Sequence, residues 1–236
     1  MTTAARREEL AARLAAVNRR IADACRGAGR DPDEVGLVVV TKFFDATVVR
    51  LLADLGVTDV GENRHQEAQA KAAECADLGL RWHFIGGLQS NKAAAVASYA
   101  DVVESVDRVK VVAGLQRGAS ERSHEVDCLV QVSLDQAGGS DSRAGVEPER
   151  LAEVAAAVEQ AGHLRLRGLM AVAPLGEDPA AAFARLAAVR AGFVAEHPAA
   201  TWLSAGMSAD LEEAVAAGAT HVRIGSAVLG PRPAVQ

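Results

Sequence analysis

Hydrophobic residues recur along the chain in two patterns, and the first predicts a helix. Near the N-terminus they are spaced three or four residues apart, which is typical of the buried face of an amphipathic helix. The positions are Leu10, Leu14, Val17, Ile21 and Cys25. Glycines at 27 and 29 follow this stripe, and glycine commonly ends a helix. The pattern therefore predicts a helix over about residues 3–29.

The second pattern is an alternation of short apolar runs with longer Ala-rich stretches of helical spacing. Eight runs have the length and composition of buried strands: 35–42, 58–63, 81–87, 101–106, 125–134, 164–173, 200–206 and 221–229. The helix-like stretches between them include 47–55, 66–78, 148–160 and 179–197. Strands that alternate with helices form parallel sheets through βαβ crossovers. The chain is therefore predicted to be an α/β protein.

The number of strands decides between two parallel architectures. Eight strands with seven intervening helices favour a closed (β/α)8 barrel, the TIM barrel, over an open doubly wound sheet. No glycine-rich dinucleotide fingerprint follows the first strand, which also disfavours the open sheet. We predict a single domain over residues 1–236, in which the N-terminal helix precedes a barrel at about 35–230.

Composition and charge exclude several classes of partner. A chain of 236 residues with 50% hydrophobic content is long enough to bury one large core. Its net charge of -6 is spread along the sequence without a basic stripe, so we expect no nucleic-acid partner. No stretch approaches the roughly 18 apolar residues of a membrane span, and the N-terminus has no apolar signal segment. We therefore expect no membrane association and a cytoplasmic location. The spacing of Cys25, Cys75 and Cys128 predicts buried thiols rather than a metal site.

The most informative polar residue is Lys42, which closes the first apolar run. β/α barrels carry their chemistry at the carboxyl ends of the strands, and an amine there is a candidate Schiff-base nucleophile. A strand-end lysine is more often a solvated surface charge, but the barrel and the neighbouring candidates favour a functional role. Other predicted strands end near polar residues of suitable chemistry: Asn63, His83, Ser133, Ser204 and Arg223.

Two small-residue motifs follow the seventh and eighth strands, where barrels commonly bind phosphate. They are Gly206-Met207-Ser208 and Gly225-Ser226. Ser208 precedes a helix-like stretch and is expected to cap it, while Gly225 lets the backbone approach an anion closely. Taken singly, Ser208 is an ordinary helix cap and Gly225 is a packing glycine. The hypothesis of a phosphate site therefore depends on the two residues being adjacent in the barrel. Arg223 lies on the same strand face as Gly225, either as a site residue or in a structural ion pair.

One of these strand-end residues, His83, and one long connection are interpreted separately. His83 lies between Trp82 and Phe84 on an apolar strand, so we interpret it as a core histidine rather than a ligand. The connection 135–147 is rich in glycine, serine and charge and follows the fifth strand. Because loops on this side of a barrel carry function, we expect a flexible loop over the site.

Together these motifs resemble those of the pyridoxal 5'-phosphate (PLP) homeostasis proteins, a family related to the N-terminal domain of alanine racemases. The resemblance runs from about Val35 to Gly230. The first four ordered motifs are Val39-Val40-Thr41-Lys42, Gly61-Glu62-Asn63 with Gln66-Glu67, Trp82 to Gly86 with Leu88 to Lys92, and Leu164 to Met170. The fifth is Leu203-Ser204 with Gly206-Met207-Ser208 and Asp210, followed by Val222-Arg223-Ile224-Gly225-Ser226.

The resemblance implies a role for each matching residue. Lys42 would hold PLP as an internal aldimine, and Asn63 would lie against the cofactor ring. The phosphate would be held by Ser208, Gly225 and Ser226. Ser204 and Met170 would line the pocket. Arg223 would approach either the pyridine nitrogen or the phosphate, and the resemblance leaves this choice open.

By the same resemblance the protein would bind PLP and regulate its availability in vitamin B6 and amino-acid metabolism, with PLP-dependent apoenzymes as transient recipients. Two alternatives stay open: a PLP enzyme with weak amino-acid racemase or related activity, and a Schiff-base aldolase that takes a sugar phosphate. Alanine racemases draw a second, tyrosine base from another domain. This sequence ends six residues after Gly230, and its only tyrosine, Tyr99, precedes the fourth strand without a motif. We therefore expect a non-catalytic protein, and a monomer.

Overall fold

The backbone closes into a barrel of eight parallel strands. The computed structural model describes residues 2–135 and 145–231. Each strand pairs with the next in sequence, and the eighth returns to the first, with Val38 opposite Arg223. The strands are β1 (Gly36–Val40), β2 (Asp59–Glu62), β3 (Arg81–Phe84), β4 (Val102–Val106), β5 (Val126–Gln131), β6 (Leu164–Met170), β7 (Trp202–Ser204) and β8 (His221–Ile224). The predicted (β/α)8 barrel is confirmed.

The helices occupy the places that the alternation predicts. Within residues 2–135 and 145–231 they are α1 (Thr3–Gly27), α2 (Ala46–Asp54), α3 (His65–Glu74), α4 (Ala93–Ala97), α5 (Val109–Ala119), α6 (Leu151–Glu159), α7 (Pro179–Glu196), α8 (Leu211–Ala216) and α9 (Ser226–Leu229). Seven of them, α2 to α8, connect consecutive strands, as predicted. Short 3-10 turns at Pro32–Glu34, Ala76–Leu78 and Pro148–Arg150 complete the connections.

Helix α1 precedes the barrel and packs on the side of it formed by the last elements. Its five predicted core positions, from Leu10 to Cys25, are all buried. They pack in one cluster with Leu211 of α8, Val222 of β8 and Leu229 of α9. The helix begins after Thr2, whose hydroxyl accepts the amide of Ala5 at 3.3 Å and caps the first turn. The predicted helix and its apolar face are confirmed.

The predicted strands overran their true carboxyl ends, and two of these errors concern the site. β1 ends at Val40, so Lys42 lies in the following turn rather than in the strand. β8 ends at Ile224 rather than 229, because Gly225 turns the chain with φ -109° and ψ -84° into the short helix α9. The apolar residues of α9 are buried against α1, and a buried helical turn has the same local hydrophobicity as a buried strand.

Alternation along the strands divides residues between two environments. Val39, Val222 and Ile224 pack outward in the cluster that contains α1. Their neighbours in the sequence face the barrel interior, where β/α barrels normally hold layers of branched apolar side chains. Here buried polar residues occupy part of that space, namely His83, Glu104, Ser204 and Arg223. The interior is therefore partly a hydrogen-bonded layer of charged and polar groups.

One glycine lets two barrel strands approach closely. Gly168 of β6 has φ +150°, and a Cβ atom built there would lie 1.9 Å from the carbonyl oxygen of Trp202 on β7. A larger residue would therefore push these two strands apart. The register of β5 and β6 also shifts between Cys128 and Leu129, just beside this contact.

The three cysteines agree with the prediction of buried thiols. Cys25, Cys75 and Cys128 are buried and form no disulfide, as predicted. Burial raises the pKa of each thiol, which disfavours the reactive thiolate. None of the helices in the described part of the chain combines the length and the apolar character that crossing a membrane requires.

Candidate functional site

A cavity of about 310 Å³ opens at the carboxyl ends of β1, β7 and β8. This is the end of the barrel where the sequence predicted the site. Its walls are formed by Val40, Lys42, Phe43, Phe44, Ile85, Met207, Ser208, Ala209, Arg223, Gly225, Ser226 and Gly230. Among the described residues, the lining includes two cationic side chains and no carboxylate. The cavity is therefore suited to a small anion with an apolar body.

Lys42 lies in the tight turn that joins β1 to α2, and its side chain is partly buried in the cavity wall. The next residue, Phe43, has φ +72° and is the one non-glycine residue with positive φ in the described ranges. A bulky residue rarely adopts this conformation, so other contacts must hold the turn. The amide of Phe43 donates to Glu67 Oε1 at 2.6 Å, and the carbonyl of Thr41 accepts from Lys71 Nζ at 2.9 Å.

The connections that follow β7 and β8 carry the two predicted serines. Ser208 and Ser226 both line the cavity, and neither hydroxyl has a hydrogen-bond partner within residues 2–135 and 145–231. The backbone amides of Gly225 and Ser226 also have no acceptor in those ranges. Free N–H and O–H donors at one end of a cavity can hold the oxygens of a phosphate. The structure thus brings Ser208, Gly225 and Ser226 together with Lys42.

The helix-capping role predicted for Ser208 is wrong. Helix α8 begins at Leu211, and Asp210 occupies the N-cap position. The carboxylate of Asp210 instead accepts the amide of Met207 at 2.6 Å, which closes the chain into a turn before the helix. The carbonyl of Ser208 accepts from Arg20 of α1 at 2.7 Å. The turn is therefore fixed from both sides, while the Ser208 hydroxyl stays available to the cavity.

Arg223 combines the two roles that the sequence left open. Its guanidinium lines the cavity, yet the residue is only 4% exposed. It donates to Ser204 Oγ at 2.7 Å and to the Ala171 carbonyl at 2.9 Å, and lies 3.7 Å from Glu104 Oε2. Burial lowers the pKa of Arg223, and Glu104 opposes this. The arginine is thus both part of the cavity wall and one end of a buried polar chain.

The polar chain continues through the barrel from Glu104. This carboxylate accepts from Ser204 Oγ at 2.6 Å and lies 2.7 Å from Nδ1 of His83, whose Nε2 is 2.8 Å from Asp59. Burial would raise the pKa of Glu104, but the hydrogen bond and charge of His83 and the charge of Arg223 lower it to about 2. Burial alone would lower the pKa of His83. The hydrogen bonds and charges of Asp59 and Glu104 outweigh this effect and raise the pKa. The interpretation of His83 as a core histidine is confirmed.

Three predicted cofactor contacts lie outside the cavity wall. Ser204 and Met170 are fully buried below it, and Met170 packs with Val102 and Leu129. Asn63 lines a neighbouring groove with Gln89 and Lys92, and its Oδ1 is buried without a partner in the described ranges. Ser133, another strand-end candidate, accepts the amide of Asp135 and is not part of the wall. The roles of Asn63, Met170 and Ser204 toward a cofactor stay predictions.

The structure adds residues that have no site role in the sequence interpretation. Phe43, Phe44 and Ile85 form apolar walls of the cavity. Glu67 and Lys71, four residues apart on α3, contact the backbone beside Lys42. Their i, i+4 spacing was a detectable signal of a salt bridge, but not of its position against the β1 turn. The predicted flexible loop is 135–147, and its residues 136–144 lie outside the described ranges.

Tyr99 lies in the connection between α4 and β4. It stacks on His65 at 5.9 Å between ring centroids and packs among the residues outside the barrel near β3. Burial, and then the charge of Glu62, raises the pKa of its hydroxyl. Tyr99 is not among the residues that line the cavity. It is therefore not placed to act as a second base opposite Lys42.

Comparison with known proteins identifies the family. The model of the family described as alanine racemase, N-terminal domain matches residues 13–233. The pyridoxal phosphate homeostasis protein of Mycobacterium tuberculosis (strain ATCC 25618 / H37Rv) is 43% identical over 246 residues, which cover 96% of this chain and 94% of the relative. The chain belongs to the pyridoxal phosphate homeostasis protein family. The family member from Escherichia coli (strain K12) is 36% identical over 230 residues, covering 95% of this chain and 97% of that protein.

Solved structures agree with this membership of the pyridoxal phosphate homeostasis protein family. PipY of Synechococcus elongatus PCC7942, solved with PLP bound, is 34% identical with a TM-score of 0.78 and covers 94% of this chain and 100% of its own. An alanine racemase from Clostridium difficile 630 has a TM-score of 0.66 at 15% identity. The match covers 92% of this chain and 57% of the racemase chain. The second likeness shows a shared barrel fold alone.

Proposed function

We propose that this chain binds PLP and takes part in PLP homeostasis, holding the cofactor as a Schiff base on Lys42 and buffering or delivering it to apoenzymes. The observation that carries the proposal is the composition of the cavity. An amine, two serine hydroxyls without a partner and apolar walls share a small space, and no carboxylate lines it in the part of the chain that the structure describes. Relatives named pyridoxal phosphate homeostasis protein, and the PLP-bound PipY structure, support PLP as the ligand.

The donor set fits the three parts of PLP. Lys42 supplies the amine that an aldehyde requires. The hydroxyls and free amides of Ser208, Gly225 and Ser226 supply donors for a phosphate. Val40, Phe44, Ile85 and Met207 supply apolar walls for a flat ring. When bound, PLP would add a reactive aldehyde and an electron-accepting ring to the site.

The position of Arg223 favours a binding protein over an enzyme. Arginine stays charged and only donates hydrogen bonds, so it cannot take up a proton from a substrate. If it approached the ring nitrogen, it would disfavour protonation there and weaken the ring as an electron sink. Held by Ser204 and Ala171, the guanidinium is already fixed before a ligand arrives. We therefore propose homeostasis as the primary role, with amino-acid chemistry as the second candidate because Lys42 could act as a single base.

The absorption spectrum of the purified protein, loaded with PLP and then reduced with borohydride, tests the proposal. We expect a Schiff-base band in the loaded protein, and mass spectrometry should locate the reduced adduct on Lys42. Lys42→Ala should abolish both signals. Lys110→Ala, which removes an exposed lysine on α5, is the matched control and should leave them intact. An adduct on another lysine would contradict the proposed site. No adduct at all would contradict PLP as the Schiff-base ligand and would leave the sugar-phosphate aldolase as the alternative.

A second experiment separates homeostasis from catalysis. The loaded protein is mixed with a panel of L- and D-amino acids, and racemisation, decarboxylation and transamination are followed. We expect turnover far below ordinary enzyme rates of about 1 to 1000 per second. Turnover in that range, lost in Lys42→Ala, would make the protein an enzyme instead.

A further inference from the structure

The backbone on both sides of Lys42 is held by one ion pair of helix α3. Glu67 Oε1 accepts the amide that follows Lys42 at 2.6 Å, and Lys71 Nζ donates to the carbonyl that precedes it at 2.9 Å. The two side chains are themselves joined at 3.0 Å. These contacts come from a different element than the one that carries Lys42. Together they fix the two peptide units that orient its side chain.

The ion pair is anchored in the interior rather than on the surface. The Lys71 side chain is 5% exposed and also pairs with Glu62, whose side chain is 1% exposed. Glu62 in turn accepts the hydroxyl of Thr41 at 2.6 Å. Buried charges are costly to desolvate. They seldom make a protein more stable than well-packed apolar side chains would at the same positions. Among the described residues, each side-chain hydrogen bond that Glu62, Glu67 and Lys71 make outside their own group ends on Thr41 or Phe43. These two residues are the neighbours of Lys42 in the sequence.

The conformation of Phe43 indicates that this turn is held against its own preference. Its φ of +72° lies in the left-handed region, which an aromatic residue enters only at a cost in free energy. The amide that Glu67 holds belongs to this same residue. Without that bond, the turn would be expected to relax toward negative φ and to rotate the Lys42 side chain with it.

We propose that Glu67 and Lys71 are positioning residues, which hold the β1 turn so that the Lys42 amine faces the cavity. This inference rests on the proposed function, because it assumes that Lys42 is the reactive amine. Neither residue contacts the ligand in this scheme. They act through the backbone of Thr41 and Phe43, and their loss should impair the covalent capture of an aldehyde more than the non-covalent binding of its phosphate.

Two ligands distinguish positioning from general damage. PLP carries the aldehyde, whereas pyridoxine 5'-phosphate carries an alcohol in its place and cannot form a Schiff base. The affinity of the apo-protein for each is measured by titration, and the amount of borohydride-trapped PLP on Lys42 by mass spectrometry. The variants are Glu67→Ala, which removes the acceptor, and Glu67→Gln, which keeps an oxygen for the Phe43 amide. Glu74→Ala, an exposed change on the same helix, is the control.

We expect Glu67→Ala to weaken PLP binding by roughly tenfold, the effect of losing one hydrogen bond to a charged group. Its affinity for pyridoxine 5'-phosphate should not change, Glu67→Gln should recover part of the loss, and Glu74→Ala should match the wild type. Unchanged PLP affinity in Glu67→Ala, or equal weakening of both ligands, would overturn the positioning role. If the wild-type protein itself formed no adduct on Lys42, the proposed function would fail and the inference with it.

Discussion

Glu104 stabilises the barrel from its centre, and its replacement offers a quantitative test of the polar interior. The carboxylate is 1% exposed and lies within 2.7 Å of both His83 Nδ1 and Ser204 Oγ. Arg223 is 3.7 Å away. Glu104→Gln keeps the shape of the side chain but removes the charge. It also places an amide N–H₂ group where only acceptors were needed, so that a donor faces either His83 or Ser204.

Two ways of estimating the same interaction give the expected magnitude. Removing one partner of a buried ion pair typically costs about 3 to 5 kcal/mol, because the other charge is left uncompensated. The pKa of Glu104 is lowered from 4.5 to about 2, which corresponds to roughly 3 kcal/mol of stabilisation at pH 7. A loss of this size in a chain of 236 residues lowers Tm by about 6 to 20 °C. We expect Glu104→Gln to lower the free energy of unfolding at pH 7 by about 3 to 5 kcal/mol.

The assay is urea unfolding of the apo-protein, followed by far-ultraviolet circular dichroism at steps from pH 7 to pH 3. Because the pKa is depressed in the folded state, the stabilisation is present above the ordinary value of 4.5 and is lost as the pH falls toward 2. The difference between wild type and Glu104→Gln should therefore be full at pH 7 and narrow below pH 4.5. Glu121→Gln, on the exposed surface, is the control. A difference of less than about 1 kcal/mol at pH 7, the level of a surface pair, or one independent of pH, would refute the reasoning.

Three further predictions follow from single residues. Ser226→Ala should weaken PLP binding by about 1.5 to 3 kcal/mol, measured by titration, and unchanged affinity would remove this serine from the site. Gly118→Ala should destabilise the protein by about 1 to 3 kcal/mol in urea unfolding, because its Cβ would lie 2.1 Å from the Ala94 carbonyl. Gly192→Ala, in open space on α7, should instead stabilise it by about 0.5 to 1 kcal/mol, and effects of equal sign would contradict the packing argument. Burial lowers the pKa of His221 from 6.5 to about 4, so its contribution to stability is present above pH 6.5 and is lost toward pH 4. His221→Asn should flatten the pH dependence of unfolding in that window, and an unaltered slope would show that His221 is not its source.

Hydrophobic periodicity was sufficient to predict the barrel, because each strand and helix buries one continuous apolar face. The stripe of α1 and all eight strands were found in this way. Periodicity could not define where the strands end. The apolar residues Val228 and Leu229 belong to a helical turn against α1 rather than to β8, and only the backbone break at Gly225 separates them.

The site was predictable as a set of loops but not as a set of contacts. Placement on the carboxyl rim correctly brought Lys42, Ser208 and Ser226 to one cavity. Residues at equivalent strand ends differ, however, in how deeply their side chains are buried in the barrel. Ser204 donates a hydrogen bond to Glu104, which lies 100 positions earlier in the sequence. Neither alternation nor local spacing carries information on such a pair, since it depends on the register of strands that are distant along the chain.

The arrangement of charge around the cavity limits the chemistry that a bound ligand could undergo. Among the described residues that line it, the ionisable side chains are Lys42 and Arg223. Arginine does not release its proton in proteins, so Lys42 is the single group of the wall able to accept one. A reaction that removes a proton from one face of a substrate and returns it to the other needs a second acid or base on the opposite side. With one base, the proton would return either from the same lysine, to the face that it left, or from water. The same wall, with its rigidly held arginine and its free donors, loses little on binding an anion because the groups are already in place. The wall is therefore suited to retaining an anionic ligand.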